Sequence, residues 1–357
     1  DQPRSRGLGD VYKRQVVYIP IGSLDTFIPL DTEGTSNSYI ADRGAASYSF
    51  TATIMGNGAD GIIDEGKFED ASGNILTKAG GANIHPLSAK LLWQDTDELV
   101  EQVGLSDGKV QVKMGRSRGN ALIAVYDKAN PNAEDAKVLW SWHLWCTPVP
   151  QIIECATSIY TGNNYKVMDR NLGATTSEPN LGTTQGLHYQ FGRKDPFSGS
   201  LSYDGERTIL YDVRSSTSIL KAEIIDEAIQ IRQALNFPDI YFLRHSDQED
   251  WYEGVGAHYL WGNPEGRASV HPVKTTKTIY DPCPAGYKIL PGDVFFVFAR
   301  TTKPSEYSNE IICKVENLNS LFYVKKIEDG GTTFYADGAG VDETKSVSYT
   351  HLTLPTT

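Results

Sequence analysis

Between Ser36 and Trp145 the chain repeats one rhythm: a short run of strand-forming residues, then a turn. Ser47–Ile54 shows it most clearly. Tyr48, Phe50, Ala52 and Ile54 fall on one face and Ser47, Ser49, Thr51 and Thr53 on the other, the period of two that a half-buried strand requires. Further strands are predicted at Ser38–Ile40, Ala89–Trp93, Val100–Leu105, Lys109–Met114, Asn120–Tyr126 and Val138–Trp145. In the last of these, Val138, Trp140, Trp142 and Leu144 share a face, which assigns both tryptophans to the core. Short strands separated by Gly, Asn and Asp turns predict a β-sandwich. Thr147-Pro148-Val149-Pro150 is stiff text that reads as a linker, so the sandwich domain is placed at 16–150 and a second domain at 151–345.

The second half is less regular. A strand is predicted over Tyr165–Asp169 and a helix over 218–236, where Leu220, Ile224, Ala228, Ile231 and Leu235 recur at helical spacing before Asn236 and Pro238 stop the run. Between them lie long loops, which inside a compact domain usually serve a function. The most constrained stretch is Thr278–Pro291, TIYDPCPAGYKILP. It turns on Asp281, Pro282, Cys283, Pro284 and Gly286. Two prolines two apart fix φ and remove two N–H donors, which makes a rigid corner and identifies these five as structural motif residues.

Composition narrows the function classes. A formal charge of −12 over 357 residues argues against nucleic acid or an anionic membrane surface as partner. No apolar run is long enough for a transmembrane helix. Tyrosine (19) and glycine (33) are plentiful and methionine (3) is scarce, the balance of an extracellular β-rich protein. The four cysteines, Cys146, Cys155, Cys283 and Cys313, allow three disulfide pairings, between which the sequence does not choose, and their spacing fits no zinc site. Residues 1–15 (DQPRSRGLGDVYKRQ) and 346–357 (SVSYTHLTLPTT) break with the text between them and look like translated sequencing-adapter read-through in an assembled metagenomic fragment. They are set apart from the fold. The natural termini, any signal region included, are expected to lie outside this chain, with the second domain cut short.

Four blocks of the second half, VMDRNLGA (167–174), GLHYQFGRKDPF (186–197), YLWG (259–262) and TIYDPCPAGYKILP (278–291), together resemble the Fibrobacter succinogenes major paralogous domain (FISUMP), a relative of C-type-lectin-like folds. In the first half, NSYI (37–40), SYSFTATIMGNG (47–58), LLWQD (91–95) and the strands through VLWSWHLW (138–145) are similar to the fimbrillin-like β-sandwich that precedes this module in Bacteroidales surface proteins. The fold class expected is therefore mixed: an N-terminal all-β sandwich followed by an α+β C-type-lectin-like domain with long loops. The resemblance implies a non-catalytic, exported, often lipid-anchored adhesin or glycan-binding protein at the outer membrane surface or outside the cell, of the kind that includes fimbrial tip subunits. Its partners would be a glycan or another surface ligand, and other fimbrial subunits. One alternative is a structural fimbrial subunit that assembles by strand donation. A remote alternative is an enzyme related to the formylglycine-generating group, in which Cys283 would be the nucleophile.

Each candidate site has a plainer reading beside it. Asp169, Arg170 and Asn171 offer an Arg fork and an amide suited to sugar hydroxyls or carboxylates, or else a structural ion pair that caps a turn. Trp251 and Trp261 are expected nearer the surface than Trp140 and Trp142 and are candidate platforms for a sugar face. Glu178-Pro179-Asn180 spells the tripeptide that holds calcium and sugar in mannose-type C-type lectins, but its partner Trp-Asn-Asp triplet is absent. Glu178 and Asn180 are thus weak metal candidates; no cofactor is expected, calcium being the one considered. Asn57, Asp60, Asp64 and Glu65 read as a solvated acidic loop, and His245-Ser246-Asp247 as a polar turn or cap. Cys283 has no His or cationic side chain beside it in sequence to lower its pKa, and reads as a buried structural thiol or half-cystine.

Overall fold

A computed structural model describes residues 26–58, 68–77, 81–154, 166–177, 183, 186–198, 208–245, 251–253, 257–262 and 275–289, with short strands at 323–326, 332–335 and 355–356. The first half supplies β1 (Ile28–Pro29), β2 (Ser38–Ala41), β3 (Ser47–Thr51), β4 (Ser88–Gln94), β5 (Val100–Ser106), β6 (Lys109–Met114), β7 (Gly119–Tyr126) and β8 (Val138–Cys146). The second supplies β9 (Ile152–Glu154), β10 (Lys166–Met168), β11 (His188–Tyr189), β12 (Pro196–Phe197), β13 (Leu210–Tyr211), β14 (Thr217–Ser218) and β15 (Lys221–Ile225). Helix α1 (Ile231–Asn236), β16 (Ile240–Arg244), a 3₁₀ turn (Ala257–Trp261), β17 (Lys288–Ile289), β18 (Tyr323–Lys326), β19 (Thr332–Tyr335) and β20 (Pro355–Thr356) follow. The architecture is β-rich and mixed, as the strand pattern predicts.

Two sheets form the sandwich, one ordered β1-β3-β6-β5 and the other β14-β13-β4-β7-β8-β2. Alternation drives each strand. In β6, Val110, Val112 and Met114 are buried while Lys109 and Lys113 are exposed. The β5–β6 hairpin turns on Asp107-Gly108, both at positive φ (51° and 72°), the two-residue chemistry whose twist matches the flanking strands. At the centre Tyr39 stacks on Phe50, ring centroids 4.6 Å apart, and Phe50 meets Trp142 at a tilt, 5.4 Å away.

The outer face of the second sheet is not left to water. All eight residues of β7 are buried. Leu122, Trp93 and Trp145 point outward into a second hydrophobic cluster with Met168, Leu172, Leu187, Tyr189, Leu210, Trp261 and Cys283. The main cluster crosses the 150/151 boundary too, joining Trp140, Trp142 and Phe50 to Ile229, Leu235, Phe242, Trp251, Leu260 and Tyr280. β13 also extends the sandwich sheet, with Tyr211 opposite Gln94. Thr147, in the expected linker, is buried and donates its backbone N–H to Ala41 O at 3.1 Å. The two halves share one core.

The helix expected over 218–236 forms only in its last third. Lys221–Ile225 runs parallel to Ile240–Arg244, and only Ile231–Asn236 is helical. Ile224, placed on the apolar stripe of that helix, is 62% exposed, whereas Ile225 and Ile229 are buried. Adjacent β-branched isoleucines favour strand, and pairing with β16 offers them a ladder that a surface helix does not. The Asp293–Arg300 segment, Cys155 and Cys313 lie outside the described residues. At the far end, Pro355–Thr356 lies between β10 and β17, antiparallel to both.

Candidate functional site

The corner, described over 278–289, is held from both sides. Asp281 is fully buried; its Oδ1 accepts the N–H of Cys283 (2.8 Å) and its Oδ2 that of Ile289 (3.0 Å). The carboxylate thereby closes the turn that Pro282 and Pro284, lacking N–H groups, leave without backbone donors. Gly286 sits at φ +79° with nothing within 4 Å of where a Cβ would be, so conformation and not space requires glycine there. The Lys277 ammonium lies inside the bend, donating to the carbonyls of Cys283 (2.9 Å), Pro284 (3.3 Å) and Tyr287 (2.7 Å), with Asp281 Oδ1 at 3.4 Å.

The carbonyls along the outside of the corner are taken by the sandwich. Asn57 Nδ2 donates to Thr278 O (2.6 Å) and Asp281 O (3.1 Å). Asn37 Nδ2 donates to Ile279 O (2.7 Å) and Asp281 O (2.9 Å), and Ser38 Oγ to Pro282 O (2.6 Å). Trp140 Nε1 fixes Asn37 in turn, donating to its Oδ1 at 2.9 Å. Asn57, expected in a solvated loop, is instead fully buried, because its amide is the partner that two buried carbonyls need.

Behind Ser38 a polar relay crosses the sheet. His143 Nδ1 is 3.0 Å from Ser38 Oγ and 3.5 Å from the Tyr189 hydroxyl; Nε2 is 2.9 Å from Asn120 Oδ1. Both Asn120 amide protons are committed, to Asp95 Oδ2 (2.7 Å) and Gly173 O (2.9 Å). Asn120 Oδ1 therefore accepts and Nε2 carries the proton; with the Ser38 proton given to Pro282 O, the donor facing the Nδ1 lone pair is the Tyr189 hydroxyl. Burial alone pulls the His143 pKa down to about 3. Burial also raises the Asp95 carboxyl, against the hydrogen bonds from Asn120. The constellation has the residue types of a nucleophile, base and orienting amide, but all of it is sealed under Pro282 and Gly173.

The GRKDPF block is sealed as well. Arg193 donates to Gln190 Oε1 (2.8 Å), Ile240 O (2.7 Å), Ala234 O (3.2 Å) and Phe237 O (3.1 Å). It thus caps the carbonyl end of α1, where a cation is favoured, and lies over the rings of Phe197, Phe242 and Trp251. Burial lowers its pKa to about 10. Lys194 Nζ uses its three protons on Asp195 Oδ1 (2.5 Å), Ser141 Oγ (2.5 Å) and Ser141 O (3.0 Å), 4.5 Å from the Trp140 ring centroid.

The chain matches no protein-family model, no curated protein and no solved structure.

Most residues predicted as ligand contacts are occupied within the fold. Arg170 spends Nε and NH2 on Asp169 (2.8 and 2.9 Å) and NH1 on Thr147 Oγ1 (3.0 Å), all buried, so its fork faces its neighbour and the linker. Asn171 is buried beside them. Trp251 and Trp261, expected near the surface, are each only 5% exposed. Their indole N–H groups donate inward, to Phe191 O (2.9 Å) and Arg193 O (3.1 Å), because both rings roof the Arg193 block. Glu178 and Asn180 lie outside the described residues. His245 pairs at 3.0 Å with Asp226 on the surface. Cys146 and Cys283 are free buried thiols; burial pushes Cys146 up to about 11 and Cys283 well above the ordinary thiol range, the latter helped by the Asp281 charge.

Ser38, Asn120, Ser141 and His143 are interior polar residues that strand alternation assigns to the solvent side; Asn37, just before β2, is buried as well. A signal was present in WSWHLW: a serine and a histidine interleaved with three tryptophans suit a face that is covered and not wet.

Proposed function

We propose that this chain is a non-catalytic binding protein of the bacterial surface, an adhesin or glycan-binding module exported to the outer membrane surface or beyond. The observation that carries this reading is the use made of its chemistry-bearing groups. Cys283, His143, Lys194, Arg170 and Asp281 are all buried and engaged within the fold, Lys194 bonding across to Ser141 of the sandwich, and none faces solvent as a reacting group would. Such a clamp makes a rigid β-rich platform, on which recognition falls to loops and surface aromatics. The four motif blocks point the same way, since their polar residues are those that form the clamp. The test is a glycan array probed with the whole chain, with and without calcium. Binding to a defined set of glycans supports the proposal; a blank array under both conditions overturns it.

A second reading, a fimbrial subunit assembling by strand donation, is favoured by the slot between β10 and β17, which takes an extended segment as its middle strand. Concentration-dependent polymerisation in light scattering supports that reading; a monomer at every concentration removes it.

A further inference from the structure

One residue from each buried tryptophan candidate, or two, the chain returns to the surface as tyrosine. Tyr252 follows Trp251, Tyr259 precedes Trp261, and both are partly exposed. Their hydroxyls hydrogen-bond to each other, with ring centroids 6.3 Å apart and planes tilted by 59°. The rings are braced from behind. Trp251 lies 5.5 Å from Tyr252, and buried Phe68 lies 6.3 Å from Tyr259 and 5.3 Å from Tyr280. Backbone pairing adds to this: Ile229 N–H donates to Trp251 O (2.8 Å) and Glu253 N–H to Ile229 O (2.9 Å).

The rim is polar. Glu253 is exposed at the next position, and Glu69, held by the Arg232 backbone N–H at 3.0 Å and with the Arg232 guanidinium 3.8 Å away, flanks the pair. Two phenol hydroxyls carry two protons, and their mutual bond uses one. The other has no partner among the described residues.

We infer that the Tyr252–Tyr259 pair, with Glu253 at its rim, is a contact site for a neutral pyranose. A pyranose has an apolar C–H face ringed by hydroxyls; two braced rings match the face, while the unused phenol proton and the carboxylate match the ring of hydroxyls. Two half-covered tyrosines are far smaller than the roughly 800 Å² per partner of a stable protein interface. The carboxylates and the net charge of −12 disfavour uronates and sialylated sugars. Because the rings are already held, little side-chain entropy is lost on binding.

This inference rests on the glycan-binding reading, and one experiment separates their failures. The whole chain is titrated calorimetrically with neutral oligosaccharides (cello-, manno-, galacto- and N-acetylglucosamine oligomers) and with oligogalacturonate. Wild type is expected to bind at least one neutral series and not the uronate. Tyr252→Ala and Tyr259→Ala should lower affinity at least tenfold, and Tyr259→Phe several-fold, with unchanged circular dichroism. Should either alanine variant not fold, Glu253→Gln, on an exposed side chain, should still weaken binding several-fold. Neutral binding that survives all of these variants overturns the site and leaves the adhesin reading standing. No binding by wild type to any series overturns both.

Discussion

Acid should expose the cost of burying His143. In the folded chain its pKa is about 3, against 6.5 for a free imidazole. Above pH 6.5 both folded and unfolded chains hold the ring neutral, and the group does not affect stability. Between 6.5 and about 3 only the unfolded chain takes up the proton, so stability falls as pH falls; below that the loss levels off. At 1.36 kcal/mol per pH unit, the lag of 1.5 units at pH 5 amounts to about 2 kcal/mol. The variant is His143→Gln, measured beside wild type by urea denaturation at pH 8, 7, 6 and 5. The substitution has its own cost at every pH, so the quantity read is the change in the difference between the two proteins. Asp95, raised in the opposite sense by burial, is present in both and cancels to first order. Wild type should lose about 2 kcal/mol relative to the variant from pH 8 to pH 5. Parallel curves, within about 0.5 kcal/mol, would show that the imidazole is charged or solvated in the fold and refute the relay.

Three further outcomes follow from the same geometry. Asn37→Ala strips the partner from Ile279 O and from Trp140 Nε1 and one of two donors from Asp281 O; at about 1–3 kcal/mol per orphaned group it should cost roughly 3 kcal/mol, read as a lower urea midpoint at unchanged slope. Ile224→Lys should change stability by less than about 0.5 kcal/mol, while Ile225→Ala should cost about 2 kcal/mol or more in the same measurement; a reversed order would restore the helical stripe. Cys283 should resist a thiol reagent at neutral pH until the chain unfolds, as followed by mass-mapped labelling, because burial and the Asp281 charge both keep it protonated; rapid labelling of the native chain would reopen a nucleophilic role.

The short-range part of this protein was legible in its residues. Period-two alternation located the sandwich strands, including the inward Trp140 and Trp142, and the two prolines with Asp281 and Gly286 marked a rigid corner. These features depend on sterics and on neighbours within a few positions, which sequence carries directly. Other features were decided by what came to lie on top of what. Ser141 and His143 look solvated until the second half covers β8; Trp251 and Trp261 look available until Arg193 draws both indoles over its block. Ile224 reads as core until β16 pairs beside β15 and turns it outward. Asn37, Asn57 and Ser38 acquire their role only from carbonyls some 220 to 240 positions away. Local propensity determines whether a segment is strand or turn. Only the folded chain determines which polar atoms lose water, and those atoms must then find partners wherever the fold has placed them.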